Sequence, residues 1–320
     1  MKVQPKKKQS KKKKPYKRYE RLDFLEDELA VEKRYRKRLL KICSSATLAL
    51  AEELASELSF GADYEKAMAH AFKIIGIDFS EEVQKAYDEF YPQFYEVGYL
   101  GGIRHTNNKL VDAYKENLKS ARRGDVLADR LVLVDEPTSE RLKELAQSKS
   151  EAHQRKRFYD LKKFIKIDLK KVKKILEGGI LGLLLGLALS KTEREKLLEK
   201  LKKLLQKIFS PNKPVVDKTV EFEGWETTQV GSAEAQIEQG EEYFKFETMR
   251  DDKVCHRCEN LRGTTVSASE VQNDIERLNE IEIEYASSVD EVDDERFAEY
   301  FGSRSLPPVH PNCRCFLVPV

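Results

Sequence analysis

Apolar residues recur at helical spacing through most of the first two hundred positions. Leu22, Phe24, Leu25, Leu29 and Ala30 suit one face of a first helix. Further helices are predicted over 31–59, 64–75, 80–97, 107–121 and 138–176. Ser80-Glu81-Glu82-Val83 and Thr138-Ser139-Glu140-Arg141 read as helix starts, a capping hydroxyl ahead of acids that complement the positive end of the helix dipole. Gly98, Gly101 and Gly102 predict a break between helices. From 156 to 175, Phe158, Leu161, Phe164, Ile165, Leu169, Val172 and Ile175 hold a helical period among many lysines, which read as a solvated face.

The most apolar run, Ile180 to Leu189, is broken by Gly182 and Gly186. A membrane span needs about 20 apolar residues, so a buried helix is expected here and no membrane span. Gly178, Gly182 and Gly186 recur every four residues and suit close helix packing rather than a phosphate loop. Ser190-Lys191-Thr192-Glu193 reads as a capping box. The helix behind it places Leu197, Leu201, Leu204, Leu205 and Ile208 on one side, and Ser210-Pro211-Asn212-Lys213-Pro214 ends it.

Beyond that boundary the period changes. Ser232 is expected to cap a short helix that runs to about Gln239 and stops at Gly240. Phe244, Phe246 and Thr248 alternate with Lys245 and Glu247, the pattern of a half-buried strand. The expected fold class is a mainly α N-terminal region with a small α+β C-terminal module stapled by zinc. The expected organisation is a disordered basic arm over 1–18, a helical domain over 19–210 and the C-terminal module over 211–320, with an acidic insert at 267–299.

Charge sharpens this division. The formal net charge of +2 hides a split: residues 221–320 hold 9 Lys and Arg against 23 Asp and Glu, leaving 49 against 33 before them. The arm carries Lys6, Lys7, Lys8, Lys11, Lys12, Lys13 and Lys14 and no acid. It can neutralise DNA phosphates or dock on an acidic protein surface. The insert holds twelve acids against Arg277 and Arg296.

Four of the five cysteines fall in the last 66 residues, and no secretory signal precedes them, so reduced thiols are expected. Cys255-His256-Arg257-Cys258 on a tight turn aims two thiolates at one cation. His310 and Cys313 complete a tetrahedral S₃N shell suited to zinc, with Cys315 as the alternative fourth ligand because it shares the strand face of Cys313. Only four positions are needed, leaving one cysteine spare. His256 is a further ligand alternative; His70, His105 and His153 are isolated and read as surface or packing residues. No Ser/His/Asp order, no paired carboxylates in an apolar setting and no nucleotide loop are evident, so no enzyme is expected.

Asp-Asp-Lys-Val-Cys-His-Arg-Cys-Glu-Asn-Leu-Arg-Gly at 251–263, followed by Leu-Pro-Pro-Val-His-Pro-Asn-Cys-Arg-Cys at 306–315, resembles the signature of the head morphogenesis (minor head protein) family of tailed phages, the phage Mu F-like proteins. The resemblance covers roughly 178–320, and its sharpest part is the H-P-N-C-R-C end. It implies a low-copy virion component, made in the host cytoplasm and acting in procapsid assembly near the portal. Portal, scaffold or major capsid proteins are the implied partners, with packaged DNA as a contact of the arm. The acidic insert departs from the family pattern in length. The alternative is a zinc-dependent DNA-binding protein or nuclease. That reading needs a catalytic His and an acid or Asn at a second, open metal site, and only His256 lies near.

Overall fold

A computed structural model of the chain describes residues 25–122, 133–152, 157–177, 190–248, 256–280, 283–285, 304–309, 313 and 315–320. The basic arm over 1–18, its lysines from Lys6 to Lys14 and the glycine repeat at 178–186 lie outside these residues.

The protein is mainly helical, with a small sheet region near the C-terminus. Helix α1 spans Leu25–Ser59 and α2 spans Tyr64–Arg122. Gly61 takes the left-handed conformation at the turn between them. Asp63 starts α2, its carboxylate accepting from the Glu65 N–H at 3.0 Å. The helices expected over 64–75, 80–97 and 107–121 are therefore one element, and Gly98, Gly101 and Gly102 do not break it. Ser80 caps nothing; it lies buried inside α2, where its hydroxyl accepts from the Tyr159 N–H at 3.0 Å.

The helix expected over 138–176 is likewise corrected. Thr138 does cap α3 (Ser139–Ala152), its hydroxyl accepting from the Arg141 N–H at 3.3 Å. After it come β1 (Arg157–Tyr159), α4 (Leu161–Phe164), β2 (Ile165–Ile167) and α5 (Leu169–Glu177). Tertiary pairing overrides the local period here. β2 pairs antiparallel with β3 (Phe209–Pro211), Ile165 opposite Pro211, and β1 pairs in parallel with β6 (Ile283–Tyr285). Between α5 and β3 lies α6 (Lys191–Leu205), which opens on the expected capping box, Ser190 with Glu193.

The boundary expected at 210 falls inside β3, and α7 (Lys213–Glu238) follows it directly. The short helix expected to start at Ser232 is the last part of α7. This helix is buried almost all round because α1 and α2 pack along it. At the crossing the backbones nearly touch. A Cβ on Gly98 would lie 2.0 Å from the Thr228 carbonyl oxygen, and one on Gly231 would lie 2.5 Å from that of Tyr95. Gly98 and Gly102, which looked like part of a helix break, are the surface that admits α7.

Gly240 ends α7 at φ +85°, as expected. Strand β4 (Tyr243–Thr248) buries Phe244, Phe246 and Thr248 on one face. It forms the centre of a three-stranded antiparallel sheet between β5 (Thr265–Ser267) and β7 (Cys315–Pro319). Helix α8 (His256–Leu261) precedes β5, and α9 (Ala268–Glu280) follows it as the first part of the acidic insert. One hydrophobic core joins residues of α1, α2 and α7 to those of the sheet.

Candidate metal centre

The sheet brings together two segments that lie far apart in sequence. β4 pairs with β7 in a register that sets Thr248 opposite Cys315, so the end of β4 leads the chain toward α8 and Cys258 while Cys313 lies just before β7. Cys258 stands in the single turn and a half of α8, where a tight turn is expected from sequence. The Sγ atoms of Cys258, Cys313 and Cys315 all lie within 4.8 Å of one another. All three are buried. Cys313 and Cys315, two residues apart, both enter the cluster with Cys258.

The spacing has chemical meaning. Cys258 and Cys313 are 3.8 Å apart at sulfur and are free thiols. A tetrahedral ion with metal–sulfur bonds of about 2.3 Å holds its sulfurs about 3.8 Å apart. The Cys315 N–H donates to the Cys313 Sγ at 3.4 Å, which favours the thiolate. Against this, burial pushes the Cys313 thiol up to about 12, with the Cys258 hydrogen bond adding to it. Cys315 is driven up as well, first by its hydrogen bond with Cys258 and then by that with Cys313. Cys313 and Cys315 therefore keep their protons as free thiols; a divalent cation would displace protons and satisfy all three sulfurs at once. The cluster can hold a metal ion. Cys255 and His310, the other expected ligands, lie outside the described residues.

Neighbouring contacts fix the segments that carry the cysteines. The indole N–H of Trp225, on α7, donates to the Cys315 carbonyl at 3.0 Å in a buried setting. Behind the strand, the His105 ring lies 6.3 Å from Phe316 and is buried, as a packing histidine should be. The strap before Cys313 is tied down on two sides. Arg304 pairs with Glu226 at 3.1 Å, each side chain 2% exposed. Asp274 of α9 accepts from the N–H groups of Ser305 and Leu306, the latter at 3.0 Å. His256 is exposed at the start of α8. His70 is paired with Glu57 at 3.1 Å on an exposed surface, and His153 lies outside the described residues.

The buried acids carried no local signal of their own. Glu223, Glu226 and Glu234 are buried along α7, paired with hydroxyls and cations rather than with one another. Each has a partner. Tyr35 and Tyr159 both donate to Glu223, the latter at 2.6 Å. Tyr95 and Lys149 meet Glu234, and Tyr99 donates to Glu238. Burial first, then the Glu234 carboxylate, holds the Tyr95 hydroxyl far above the ordinary tyrosine value, so it remains a donor. A signal was present: Tyr87, Tyr91, Tyr95 and Tyr99 stand four residues apart, one stripe of α2 aimed at α7.

Comparison of the chain with family models, with curated proteins and with solved structures finds no match. Among the described residues, no helix is long and apolar enough to cross a membrane.

Proposed function

We propose that the chain is a minor head protein of a tailed phage, a structural virion component that acts in procapsid assembly beside the portal and holds one zinc ion. The observation that carries the reading is a convergence. The two signature-like segments, 251–263 and 306–315, are separated by more than forty residues, yet Cys258 of the first meets Cys313 and Cys315 of the second. A motif split in this way has a physical reason to stay together if its two parts share one ion.

The proposed ligands are Cys258, Cys313 and Cys315, with Cys255 or His310 as the fourth. A closed set of four leaves no position for substrate, which suits a staple rather than a catalyst. The helical part would dock on portal, scaffold or major capsid protein, and the basic arm would contact packaged DNA. Assembly would take place in the host cytoplasm.

The test is co-expression with the portal, scaffold and coat proteins of the source phage. Copurification with portal or procapsids, together with about one zinc per chain by elemental analysis, is expected. A chain that neither joins procapsids nor alters the infectivity of particles assembled without it is not a head protein. Nicking of supercoiled DNA in Mg²⁺ or Mn²⁺ that disappears in His256→Ala would replace this reading with a nuclease.

A further inference from the structure

The least compensated charge on the folded body lies along α4, β2, α5, α6 and β3. Residues 161–177 and 190–210 carry thirteen Lys and one Arg against five acids, a net of +9. The lysines are arranged in stripes. Helix α6 buries Leu201 and Leu205 and turns Lys196, Lys200 and Lys203 to solvent, with exposed Lys207 in the turn beyond. Spacings of four, three and four keep these on one side. Helix α5 does the same, burying Val172 and Ile175 while Lys170, Lys171 and Lys174 stay exposed. The two stripes meet where the Lys171 ammonium donates to the Lys207 carbonyl at 3.3 Å. On β2, exposed Lys166 stands opposite exposed Ser210 of β3 and extends the surface.

Little of this charge is neutralised internally. Asp168 holds Lys171 at 3.0 Å and Glu199 holds Lys202 at 3.2 Å. Among the described residues, no acid pairs with Lys196, Lys200, Lys203 or Lys207.

We propose that this face binds the phosphate backbone of duplex DNA without regard to sequence. The rise from Lys196 to Lys203 is about 10 Å, which spans about three phosphates of one strand. Composition selects the partner class. Protein interfaces have an apolar centre and few lysines, and membrane-surface helices present a broad apolar face. Here the apolar faces of α5 and α6 are buried, and Leu169 is the one large apolar side chain exposed along this surface among the described residues. Base reading is not expected either, because Arg194, the lone arginine, donates to the Ser59 carbonyl at 3.2 Å. The face is separate in sequence from the basic arm. It rests on charge and exposure alone, so it stands or falls independently of the head-protein reading.

Fluorescence anisotropy of a labelled mixed-sequence duplex against the full chain, over a salt series, tests it. One variant carries Lys196→Gln, Lys200→Gln, Lys203→Gln and Lys207→Gln; another carries Gln at Lys6, Lys7, Lys8 and Lys11 to Lys14. The face variant is expected to bind at least about tenfold more weakly at moderate salt and to lower the log–log salt slope by about 3 to 4. The arm variant is expected to keep the face-dependent part of the slope. Circular dichroism and melting should match the parent, since the four side chains are exposed. If the fourfold variant misfolds, Lys200→Gln and Lys203→Gln singly should each lower the slope by about 1. An unchanged slope in the face variants overturns the proposal. So does displacement of the duplex by poly-glutamate or anionic phospholipid vesicles at equal charge, which would reassign the surface to acidic protein or membrane.

Discussion

At the crossing of α2 and α7, two long helices approach backbone to backbone, and Tyr95 and Tyr99 of the first donate to Glu234 and Glu238 of the second. At the cysteine centre, a three-stranded sheet and a helix of six residues meet around three sulfurs. Both sites hold together segments that are remote in sequence. The first does so with area and shape, so each buried acid can be matched by a hydroxyl or an ammonium from a rigid neighbour. The second gathers three buried thiols that an ion could join. The contrast teaches that buried polar chemistry need not mark a site. The acids of α7 are numerous, buried and satisfied, whereas the three thiols satisfy one another only weakly.

The largest expected effect separates the two regions by metal removal. On the proposed zinc reading, chelation should unfold the surroundings of the cysteine centre while leaving the helical circular dichroism largely intact, since structural zinc contributes about 10 kcal/mol in small modules. Trp225 is the single tryptophan and is bonded to the Cys315 carbonyl, so its emission should shift to the red on metal loss. Cys258→Ser and Cys315→Ser should mimic the chelator. Unchanged emission and melting in metal-free protein would remove the ion from the comparison.

Next is the crossing itself. Gly98→Ala should cost about 3 kcal/mol or more in denaturant titration, because its Cβ would fall 2.0 Å from a carbonyl oxygen of α7 and backbone cannot swing aside. Gly240→Ala meets nothing within 4 Å and should cost only about 1 kcal/mol through its left-handed conformation. Equal losses would show that the helices have room to move apart.

A smaller effect tests the matched acids. Glu223→Ala removes the acceptor shared by two buried tyrosine hydroxyls, those of Tyr35 and Tyr159, at about 1–3 kcal/mol in all. Glu223→Gln keeps an acceptor and should lose less. The last effect is alkaline. Burial raises the Cys43 thiol from 9.0 to about 12 within the core of α1. The unfolded chain therefore ionises first, so stability should fall as pH rises from about 9 to about 12, and Cys43→Ala should flatten that part of the profile. Cys43 should also resist alkylation in the native state.

Legibility followed the range of the interactions. The capping box at Ser190 and Glu193, the alternation at Phe244, Phe246 and Thr248, and the stop at Gly240 depend on near neighbours and could be read directly. The clustering of cysteines was equally plain, though not that Cys313 and Cys315 would both join Cys258, since that depends on the pairing of β4 with β7. Gly98 misled because a glycine that ends a helix and one that admits a crossing helix look alike until the partner is known. Ile165 misled because its helical period with Leu169, Val172 and Ile175 is overruled by a strand partner some forty residues away.

One consequence of α2 concerns distance. Its 59 residues have a contour of about 90 Å. A compact chain of this length would have a radius of gyration near 20 Å, so it would be only about half that long from end to end. Pro92 stands inside this helix and removes one of its backbone hydrogen bonds, the usual cause of a bend, so the contour is the upper bound on the reach from the turn at Gly61 to the far end of α2.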